Sequence, residues 1–542
     1  MSFLRSLLSE PHRALLATIG DAAESRGIDA YVVGGFVRDA ILGRSTTDLD
    51  FVTVGKGTGI ELAEAVSKRL GGATVHVYRQ FGTAAIRIPD PSESSETMIL
   101  EFVAARKESY RRDSRKPIVA DGTLEDDLKR RDFTVNAFAA QLRADGVGEI
   151  VDRFGGMRDL DQGTLRTPVD PFQTFSDDPL RMVRAARFAA QLGFDLEHDT
   201  WAAMRAEAER IRIVSVERIA DELQKIMASR QPSVGFRILE ETGVLPHFLP
   251  ELSDLRGVEQ VRGHKHKDNF YHTLQVVDNL VELTTDRPAE ETLWLRWAAL
   301  LHDIGKPSTK RFRPGTGWTF HGHEDRGSRM IPGLLRRLKL PLDERADYVE
   351  KLVRLHHRPV ALVDEEVTDS AVRRLLFDAG DDVDDLMTLV RADITSRNPA
   401  RVRRYLRAFD RVDEKLIDVE EKDQLRNFRP PVDGQEIMEA LGIGEGLAVG
   451  ILKDRITEAI LDGIIPNEHG AARDLMMTNR EDAIRRGALF MQYIRTLPGP
   501  EKRAVGAIKE AVLSDELPED QTEAVRFLDQ IKERTLKPET HE

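Results

Sequence analysis

The sequence predicts an α+β fold, in which a small N-terminal domain with a mixed β-sheet and helices precedes an almost wholly helical remainder. Short runs of β-branched and aromatic residues, bounded by turn residues, recur through the first 165 residues. From about Asp177 onward, apolar residues instead recur every three or four positions, as at Ile219 and Leu223. Eight of the 14 histidines fall between His264 and His357, which sets this helical segment apart.

Length and composition bound the number of domains and the available chemistry. At about 150 residues per domain, 542 residues correspond to three or four units, and the pattern changes place them at 1–165, 166–254, 255–398 and 399–542. The net charge of −14 disfavours nucleic acid unless basic residues cluster on one face. Without cysteine, metal ligands must be His, Asp and Glu. No apolar run approaches the roughly 20 residues of a membrane span, so we expect a cytoplasmic protein.

The elements of the first domain have local signals. Ser9 before Glu10 and Pro11 is typical of a helix N-cap, and this helix is predicted to run to Gly27. A further helix is expected to start near Phe36. Strands are predicted at residues 30–33, 49–54, 74–78, 83–88 and 98–103.

A glycine pair, Gly34 and Gly35, stands where the first strand turns into a helix. Backbone amides at a helix N-terminus favour a phosphate, although such a pair can also be a simple connection. Asp48 and Asp50 share one face of the next strand, because side chains alternate along a strand. Two close carboxylates repel unless cations lie between them, which favours Mg²⁺ ligands for nucleotidyl transfer. Glu101, inside an otherwise apolar strand, is either a third acid or a half-exposed strand residue.

Five blocks of sequence occur in a fixed order between about residues 30 and 230. They are Gly34-Gly35-x-Val37-Arg38-Asp39, Asp48-x-Asp50, Arg130-Arg131-Asp132-Phe133-Thr134-Val135-Asn136-Ala137, the segment from Asp177 to Phe188, and the segment from Glu217 to Leu223. This order resembles the class II tRNA nucleotidyltransferases, which include the CCA-adding enzymes and the bacterial poly(A) polymerases. The resemblance implies nucleotide addition to an RNA 3′ end without a nucleic-acid template, by two Mg²⁺ ions. It also implies tRNA, CTP and ATP as partners of a monomer or homodimer, with no DNA and no membrane.

The resemblance further assigns residues to the reaction. The catalytic acids would be Asp48, Asp50 and Glu101, and the nucleotide-binding residues Gly34, Gly35, Arg38, Arg130, Arg131, Asp132, Asn136, Asp178, Arg181, Arg184 and Arg187. Asp178 and Arg181, three apart on a predicted helix, would present an acceptor and a donor to one base edge. Cytosine and adenine match this pair, whereas guanine and uracil present a carbonyl to the acid. The alternative is an ordinary ion pair within a helix.

A charged polar stretch lies between Arg106 and Lys129. In the family a flexible loop here is needed for the final A, and enzymes that add only C lack it. Its presence therefore favours A addition, and a surface loop without a role is the alternative.

Imidazoles and carboxylates recur through the helical middle at intervals that suit a transition metal. The series resembles the HD phosphohydrolase superfamily, whose domain some CCA-adding enzymes carry with phosphatase and cyclic-phosphodiesterase activity. The residues that match its first metal site are His272, His302, Asp303 and Asp393. The extra ligands of its two-metal subfamily are His323, His356 and His357, with Asp303 shared. The metal would be Mn, Ni, Fe or Co and the substrate a 2′,3′-cyclic RNA end, and a purely structural domain is the alternative.

Arginines recur on one side of a helix predicted after residue 400, at Arg401, Arg403, Arg404, Arg407 and Arg411. Because the family binds tRNA with C-terminal helices through shape and backbone, Arg401 and Arg404 are expected to contact RNA phosphates. A solvated arginine face is the alternative. Three other functions stay open: a poly(A) polymerase, an enzyme that adds only A, and an HD hydrolase whose first domain merely binds nucleotides.

Overall fold

The chain folds into two compact units, Met1–Arg354 and Leu355–Glu542, in the computed structural model. The structure describes residues 3–46, 48–79, 82–90, 97–111, 114–257, 260–261, 264–265, 268–364, 368–396, 398–423, 430–514 and 516–536. An N-terminal domain of strands and helices precedes a mostly helical remainder, which confirms the predicted fold class.

Seven strands of the N-terminal region form one mixed sheet. Together with two strands outside this sheet, β6 and β7, they are in chain order β1 (Ala30–Val33), β2 (Asp48–Thr53), β3 (Val75–Tyr78), β4 (Thr83–Pro89), β5 (Thr97–Ala104), β6 (Arg106–Arg111), β7 (Ser114–Asp121), β8 (Phe138–Arg143) and β9 (Gly146–Asp152). The order across the sheet is β3-β4-β5-β2-β1-β8-β9, and β6 pairs with β7 alone. Strands β2 and β5 are parallel, with Asp50 opposite Glu101. Directly paired residues point to the same face, so this register brings the two acids together.

The helices of the same region are interspersed with its strands along the chain. They are α1 (Phe3–Leu7), α2 (Glu10–Glu24), α3 (Gly35–Ile41), α4 (Thr58–Arg69), α5 (Leu124–Lys129) and α6 (Gly156–Asp161). Ser9 caps α2 as predicted, because its side chain accepts a hydrogen bond from the His12 amide. The helix ends at Glu24, three residues before the predicted Gly27, which instead adopts a positive φ of 66° in the turn that follows.

The structure adds two strands that the sequence did not predict, and it differs from one expectation for this region. Strands β8 and β9 were not predicted, because residues such as Ala139, Ala140 and Gly148 are poor β-formers that become strand only through burial in the sheet. The stretch from Arg106 to Lys129 is not a loop throughout: β6 and β7 form an antiparallel hairpin, and α5 follows it. Positions 112–113 of that stretch lie outside the described residues.

The middle of the chain is helical, with short two-stranded pieces between helices. Its helices are α7 (Pro171–Asp177), α8 (Leu180–Leu192), α9 (His198–Glu207), α10 (Val216–Met227), α11 (Pro232–Glu241), α12 (Pro250–Ser253), α13 (Asn269–Leu283), α14 (Ala289–Leu301), α15 (Lys306–Thr309), α16 (His323–Arg337) and α17 (Glu344–Leu355). Its strands are β10 (Thr164–Leu165), β11 (Asp195–Leu196), β12 (Gln260–Val261), β13 (His264–Lys265), β14 (Arg311–Arg313) and β15 (Gly317–Thr319).

The second unit consists of helices. They are α18 (Arg358–Asp364), α19 (Asp369–Ala379), α20 (Val383–Ala392), α21 (Pro399–Asp423), α22 (Gly434–Leu441), α23 (Leu447–Leu461), α24 (His469–Thr496), α25 (Val505–Leu513) and α26 (Gln521–Leu536). One apolar core in this unit includes Leu452 and Ile456, and another, formed by α24 to α26, includes Tyr493 and Leu528. Among the described residues, no helix is long and apolar enough to cross a membrane.

Candidate active sites

A cleft of about 790 Å³ opens beside the sheet and the start of α8. Every residue of the first unit that the sequence assigned to catalysis or to the nucleotide lines this cleft, except Gly34. The cleft is also lined by residues that the sequence did not assign to catalysis or to the nucleotide, notably Asp39, Arg106, Phe188 and Arg218. Whether these side chains bind a nucleotide stays a prediction, but the fold brings them to one place.

The carboxylates of β2 and β5 form the acidic part of the cleft. Leu49 and Phe51 are fully buried, whereas Asp48 is exposed and Asp50 half-buried, so the predicted alternation holds. Burial, together with the charges of Asp48 and Asp127, raises the pKa of Asp50 despite the opposing effect of Arg131. The pKa of Glu101 is raised as well, by partial desolvation and by the negative charges of Asp50 and Asp48. Glu101 remains exposed at the surface of the cleft. These carboxylates destabilise one another's negative charge, and they offer a metal only oxygen ligands. The group therefore fits a divalent cation.

The backbone conformation and close surroundings of Gly34 explain why glycine is needed directly after β1. Its φ is 73°, and a Cβ there would lie 2.5 Å from Nη1 of Arg131. Its amide donates to the carbonyl of Phe138 on β8, 3.1 Å away. The turn therefore fixes the start of α3, where Gly35 lines the cleft.

A buried acid holds the arginine pair that follows α5. Asp127 is fully buried; Arg130 Nε donates to it at 3.0 Å, and Arg131 Nη2 lies 3.4 Å from it. Sequence reasoning missed Asp127. Its position three and four residues before two arginines is the signal that indicates such a contact on a helix.

Asp132 and Asn136 position two further arginines. The Asp132 carboxylate accepts from Nε of Arg184 at 2.8 Å and from Nδ2 of Asn136 at 2.9 Å, and Oδ1 of Asn136 accepts from Arg38. Burial opposes ionisation of Asp132, but Arg184 and the Asn136 hydrogen bond outweigh it and hold the pKa of this carboxyl well below its ordinary value. Both side chains thus act on the arginines that line the cleft.

The prediction that Asp178 and Arg181 share a helix is wrong. Asp178 is the extended residue after α7, with φ −135° and ψ 95°, and α8 starts only at Leu180. The cause is Pro179, which disfavours helical backbone in the residue before it. Both side chains nevertheless line the cleft; Asp178 lies 3.4 Å from Nη2 of Arg218, and Arg181 donates to the carbonyl of Arg130.

Glu222 on α10 anchors the remaining arginines of α8. It is buried, and its carboxylate lies 2.6 Å from Nε of Arg187 and 3.7 Å from Nη1 of Arg184. Burial lowers the pKa of Arg187 to about 10. The guanidinium carbon of Arg187 lies 4.1 Å from the centroid of the Phe188 ring. Sequence reasoning missed Glu222, whose contacts depend on how two helices pack.

A second cluster lies around Asp303, directly after α14. Asp303 is 1% exposed, and its oxygens lie 3.6 Å from Nε2 of His272, 3.3 Å from Nε2 of His302 and 3.4 Å from Nε2 of His323. Lys306 donates to Asp303 at 2.6 Å. Burial alone raises the pKa of an acid, but His302 and Lys306 hold the pKa of Asp303 well below its ordinary value. Four predicted ligands therefore meet in one buried cluster of the first unit.

The hydrogen bonds of two imidazoles fix which nitrogen faces Asp303. Nδ1 of His302 lies 2.8 Å from the carbonyl of Ala299, and Nδ1 of His323 lies 2.9 Å from that of Phe320. A carbonyl only accepts, so each Nδ1 is the donor, which leaves Nε2 of each ring directed at Asp303. Neutral rings in this orientation offer Nε2 lone pairs beside the carboxylate oxygens, so the arrangement fits a metal ion.

The other residues predicted for this metal set belong to the second unit. His356 is buried, His357 is exposed, and Asp393 is half-buried at the end of α20. Arg401 and Arg404 on α21 are exposed, and their guanidinium carbons lie 5.7 and 5.4 Å from the ring centroid of Tyr405. The roles of these five residues stay predictions.

Three family models match the chain. The Poly A polymerase head domain covers residues 30–166, the probable RNA and SrmB-binding site of polymerase A covers 193–255, and the HD domain covers 269–394. The nucleotidyltransferase and HD families imply the use of divalent metals.

Curated relatives align with most of the chain. The multifunctional CCA protein of Ralstonia nicotianae is 36% identical over 60% of this chain and 72% of its own length. The A-adding tRNA nucleotidyltransferase of Deinococcus radiodurans is 34% identical over 79% and 91%, respectively. The CC-adding tRNA nucleotidyltransferase of Thermus thermophilus is 32% identical over 83% and 93%. These relatives differ in the nucleotides that they are named for adding.

Solved structures share the fold. A tRNA nucleotidyltransferase complexed with a primer tRNA and an incoming ATP analog is 25% identical, with a TM-score of 0.50 over 73% of this chain and 99% of that one. The Thermotoga maritima CCA-adding enzyme complexed with tRNA is 19% identical, with a TM-score of 0.54 over 88% and 97%. At that identity, the second likeness concerns the fold alone.

Proposed function

Because the chain belongs to the tRNA nucleotidyltransferase family, we propose that it adds CCA to tRNA 3′ ends from CTP and ATP, without a nucleic-acid template. The observation that carries this proposal is the cleft, where three carboxylates on adjacent strands face the same space as a set of arginines. We further propose that the enzyme works in the cytoplasm as a monomer or homodimer.

In this proposal the acids of the cleft bind metal and its arginines bind the triphosphate. Asp48, Asp50 and Glu101 would hold Mg²⁺, which when bound lowers the pKa of the attacking ribose hydroxyl and steadies the pyrophosphate leaving group. Arg130, Arg131 and the other guanidiniums that line the cleft neutralise the triphosphate.

Asp178 and Arg181 select the base in this proposal. Asp178 accepts a hydrogen bond from the exocyclic amine of cytosine or adenine, and Arg181 donates to the adjacent ring nitrogen. They need no common helix for this, because both already line the cleft from either side of Pro179. A guanine or uracil carbonyl would face the Asp178 carboxylate, which leaves two acceptors opposed.

For the cluster around Asp303 we propose a resident transition metal, Mn, Ni, Fe or Co, and hydrolysis of 2′,3′-cyclic phosphates at RNA 3′ ends. The support is the set of Nε2 atoms around one buried carboxylate, with Nδ1 of His302 and of His323 fixed by carbonyls. Such a metal supplies a hydroxide at neutral pH. Water then adds across one P–O bond of the ring, which leaves a phosphomonoester on one ribose oxygen and a free hydroxyl on the other.

An enzyme that adds only A is the second candidate. The A-adding relative aligns with 79% of this chain, against 60% for the multifunctional relative. Three tRNAs, ending before CCA, after C and after CC, separate the two when each is offered one nucleotide at a time with Mg²⁺. CCA addition requires CTP to extend the first two and ATP the third, whereas an A-adding enzyme extends only the third. Extension of none refutes both, and continuous ATP addition to unstructured RNA identifies a poly(A) polymerase.

A further inference from the structure

The hairpin of β14 and β15 starts and ends at the candidate hydrolase pocket. Its chain leaves shortly after Asp303 and returns at His323, two residues whose side chains lie 3.4 Å apart. Gly305 lies so close to the returning chain that a Cβ there would be 2.2 Å from the carbonyl oxygen of His323. Lys306, which donates to Asp303, also lies 5.7 Å from the centroid of the Phe320 ring at the other end of the hairpin. The base of the hairpin therefore adjoins the cluster around Asp303.

One face of this hairpin is stiffened by aromatic contacts. Phe312 and Trp318 are paired across the strands, with ring centroids 5.3 Å apart in an edge-to-face arrangement. The Lys310 ammonium lies 4.4 Å from the Trp318 ring centroid. The Thr319 hydroxyl donates to the carbonyl of Arg311 at 3.3 Å. These contacts make the hairpin an ordered arm at the pocket.

The other face of the hairpin carries two arginines. Arg311 and Arg313 alternate with Phe312, so both point away from the aromatic pair. Both are exposed, and in the described part of the chain neither forms an ion pair with an acid; Arg311 donates only to the carbonyl of Lys310. Two residues apart on a strand, they stand about 7 Å from each other, a spacing comparable with that of neighbouring phosphates in a nucleic-acid strand.

We propose that this arm, the hairpin of β14 and β15, binds backbone phosphates of RNA through Arg311 and Arg313. The 3′ end of the same RNA strand would then reach the cluster around Asp303. The inference rests on the proposed hydrolase function and names its substrate class as polynucleotides rather than free nucleotides. Cations that touch only phosphates add affinity without sequence preference, and they make binding depend on salt. Such an arm suits an enzyme whose other site acts on RNA 3′ ends of many tRNAs.

The test compares two substrates in the metal-loaded, full-length enzyme: tRNA ending in a 2′,3′-cyclic phosphate, and 2′,3′-cyclic AMP. In the double variant Arg311→Ala/Arg313→Ala, the ratio of kcat/KM for tRNA to that for 2′,3′-cyclic AMP falls about tenfold, through KM of the tRNA. The slope of log kcat/KM against log salt for tRNA becomes shallower by about 1 to 2. The matched control is Arg336→Ala, an exposed arginine about 20 Å along α16 from His323, which leaves the ratio unchanged.

A second readout does not depend on hydrolysis. A tRNA with 4-thiouridine near its 3′ end is crosslinked to wild type, and the crosslinked peptide is expected to contain residues 310–322. Three results would overturn the proposal that the arm binds RNA. They are an unchanged kcat/KM ratio in the double variant, an equal loss of activity on both substrates, and a crosslink that never falls within this peptide. If wild-type enzyme hydrolyses neither substrate, the hydrolase function fails, and the crosslink alone decides whether RNA reaches the hairpin.

Discussion

The two candidate metal sites place carboxylates in opposite surroundings. Asp50 and Glu101 open onto a cleft lined by arginines, their carboxylates offer a metal only oxygen ligands, and their pKa values are raised. Asp303 is buried among three imidazoles and Lys306, and its pKa is lowered. The first site suits hard Mg²⁺ that arrives with a triphosphate, and the second suits a resident transition metal. The two candidate metal sites therefore differ in how deeply the acid is buried and in what surrounds it.

The largest effect is expected from Asp50→Asn, which removes one charge from the cleft. Nucleotide addition to a tRNA lacking CCA should fall about 10³-fold, because charge stabilisation of the transition state depends on this carboxylate. Hydrolysis of 2′,3′-cyclic AMP, measured on the same preparation, should stay within twofold. Asp145→Asn, at an exposed acid in the turn between β8 and β9, is the control. Equal loss of both activities would show that the sites are not independent.

The reciprocal change, His302→Ala, should separate the sites in the other direction. Loss of a buried imidazole beside Asp303 should weaken metal retention about 10- to 100-fold, measured by elemental analysis after dialysis. Hydrolysis should fall with the metal while nucleotide addition persists. His198→Ala, at an exposed histidine of the first unit, should retain the metal. Full metal retention in His302→Ala would contradict the proposed site.

Base selection should respond to Asp178→Asn. The amide keeps one acceptor but adds a donor, so the preference of kcat/KM for CTP over UTP should drop about 10- to 100-fold. Asp177→Asn is a close control, because the neighbouring Asp177 does not line the cleft. Unchanged selectivity in Asp178→Asn would remove this residue from the base-reading role.

The smallest effect concerns pH. Because the pKa values of Asp50 and Glu101 are raised, Mg²⁺ competes with protons for these acids over the range just above the ordinary carboxyl values. Mg²⁺ affinity should rise with pH in that range, by up to about tenfold per pH unit for each proton released, and then level off. Titration calorimetry on wild type and Glu101→Gln measures it, and the variant should show a shallower rise. A Mg²⁺ affinity that does not change with pH in wild type would contradict the competition between Mg²⁺ and protons at these acids.

Local patterns predicted much of the fold. The cap at Ser9 and the alternation of Asp48 and Asp50 against Leu49 depend on near neighbours in sequence, so the sequence contains the whole signal. Pro179 was also a local signal, and attention to its effect on the preceding residue would have placed Asp178 outside the helix.

The features that the sequence did not predict depend mainly on tertiary packing. Strand β8 has weak local propensity and forms because β1 pairs with it. Asp127 and Glu222 matter through the arginines that they hold, and the contacts of Glu222 join separate helices. The hairpin that contains Arg311 has strands of three residues, too short for a clear alternation pattern.

Anomalous diffraction from crystals of the enzyme with Mn²⁺ and a non-hydrolysable CTP analogue would locate the metal relative to the triphosphate. We expect Mn²⁺ peaks between the analogue's phosphates and the side chains of Asp48 and Asp50. A triphosphate bound away from these two acids, or bound there with no metal between them, would contradict this expectation.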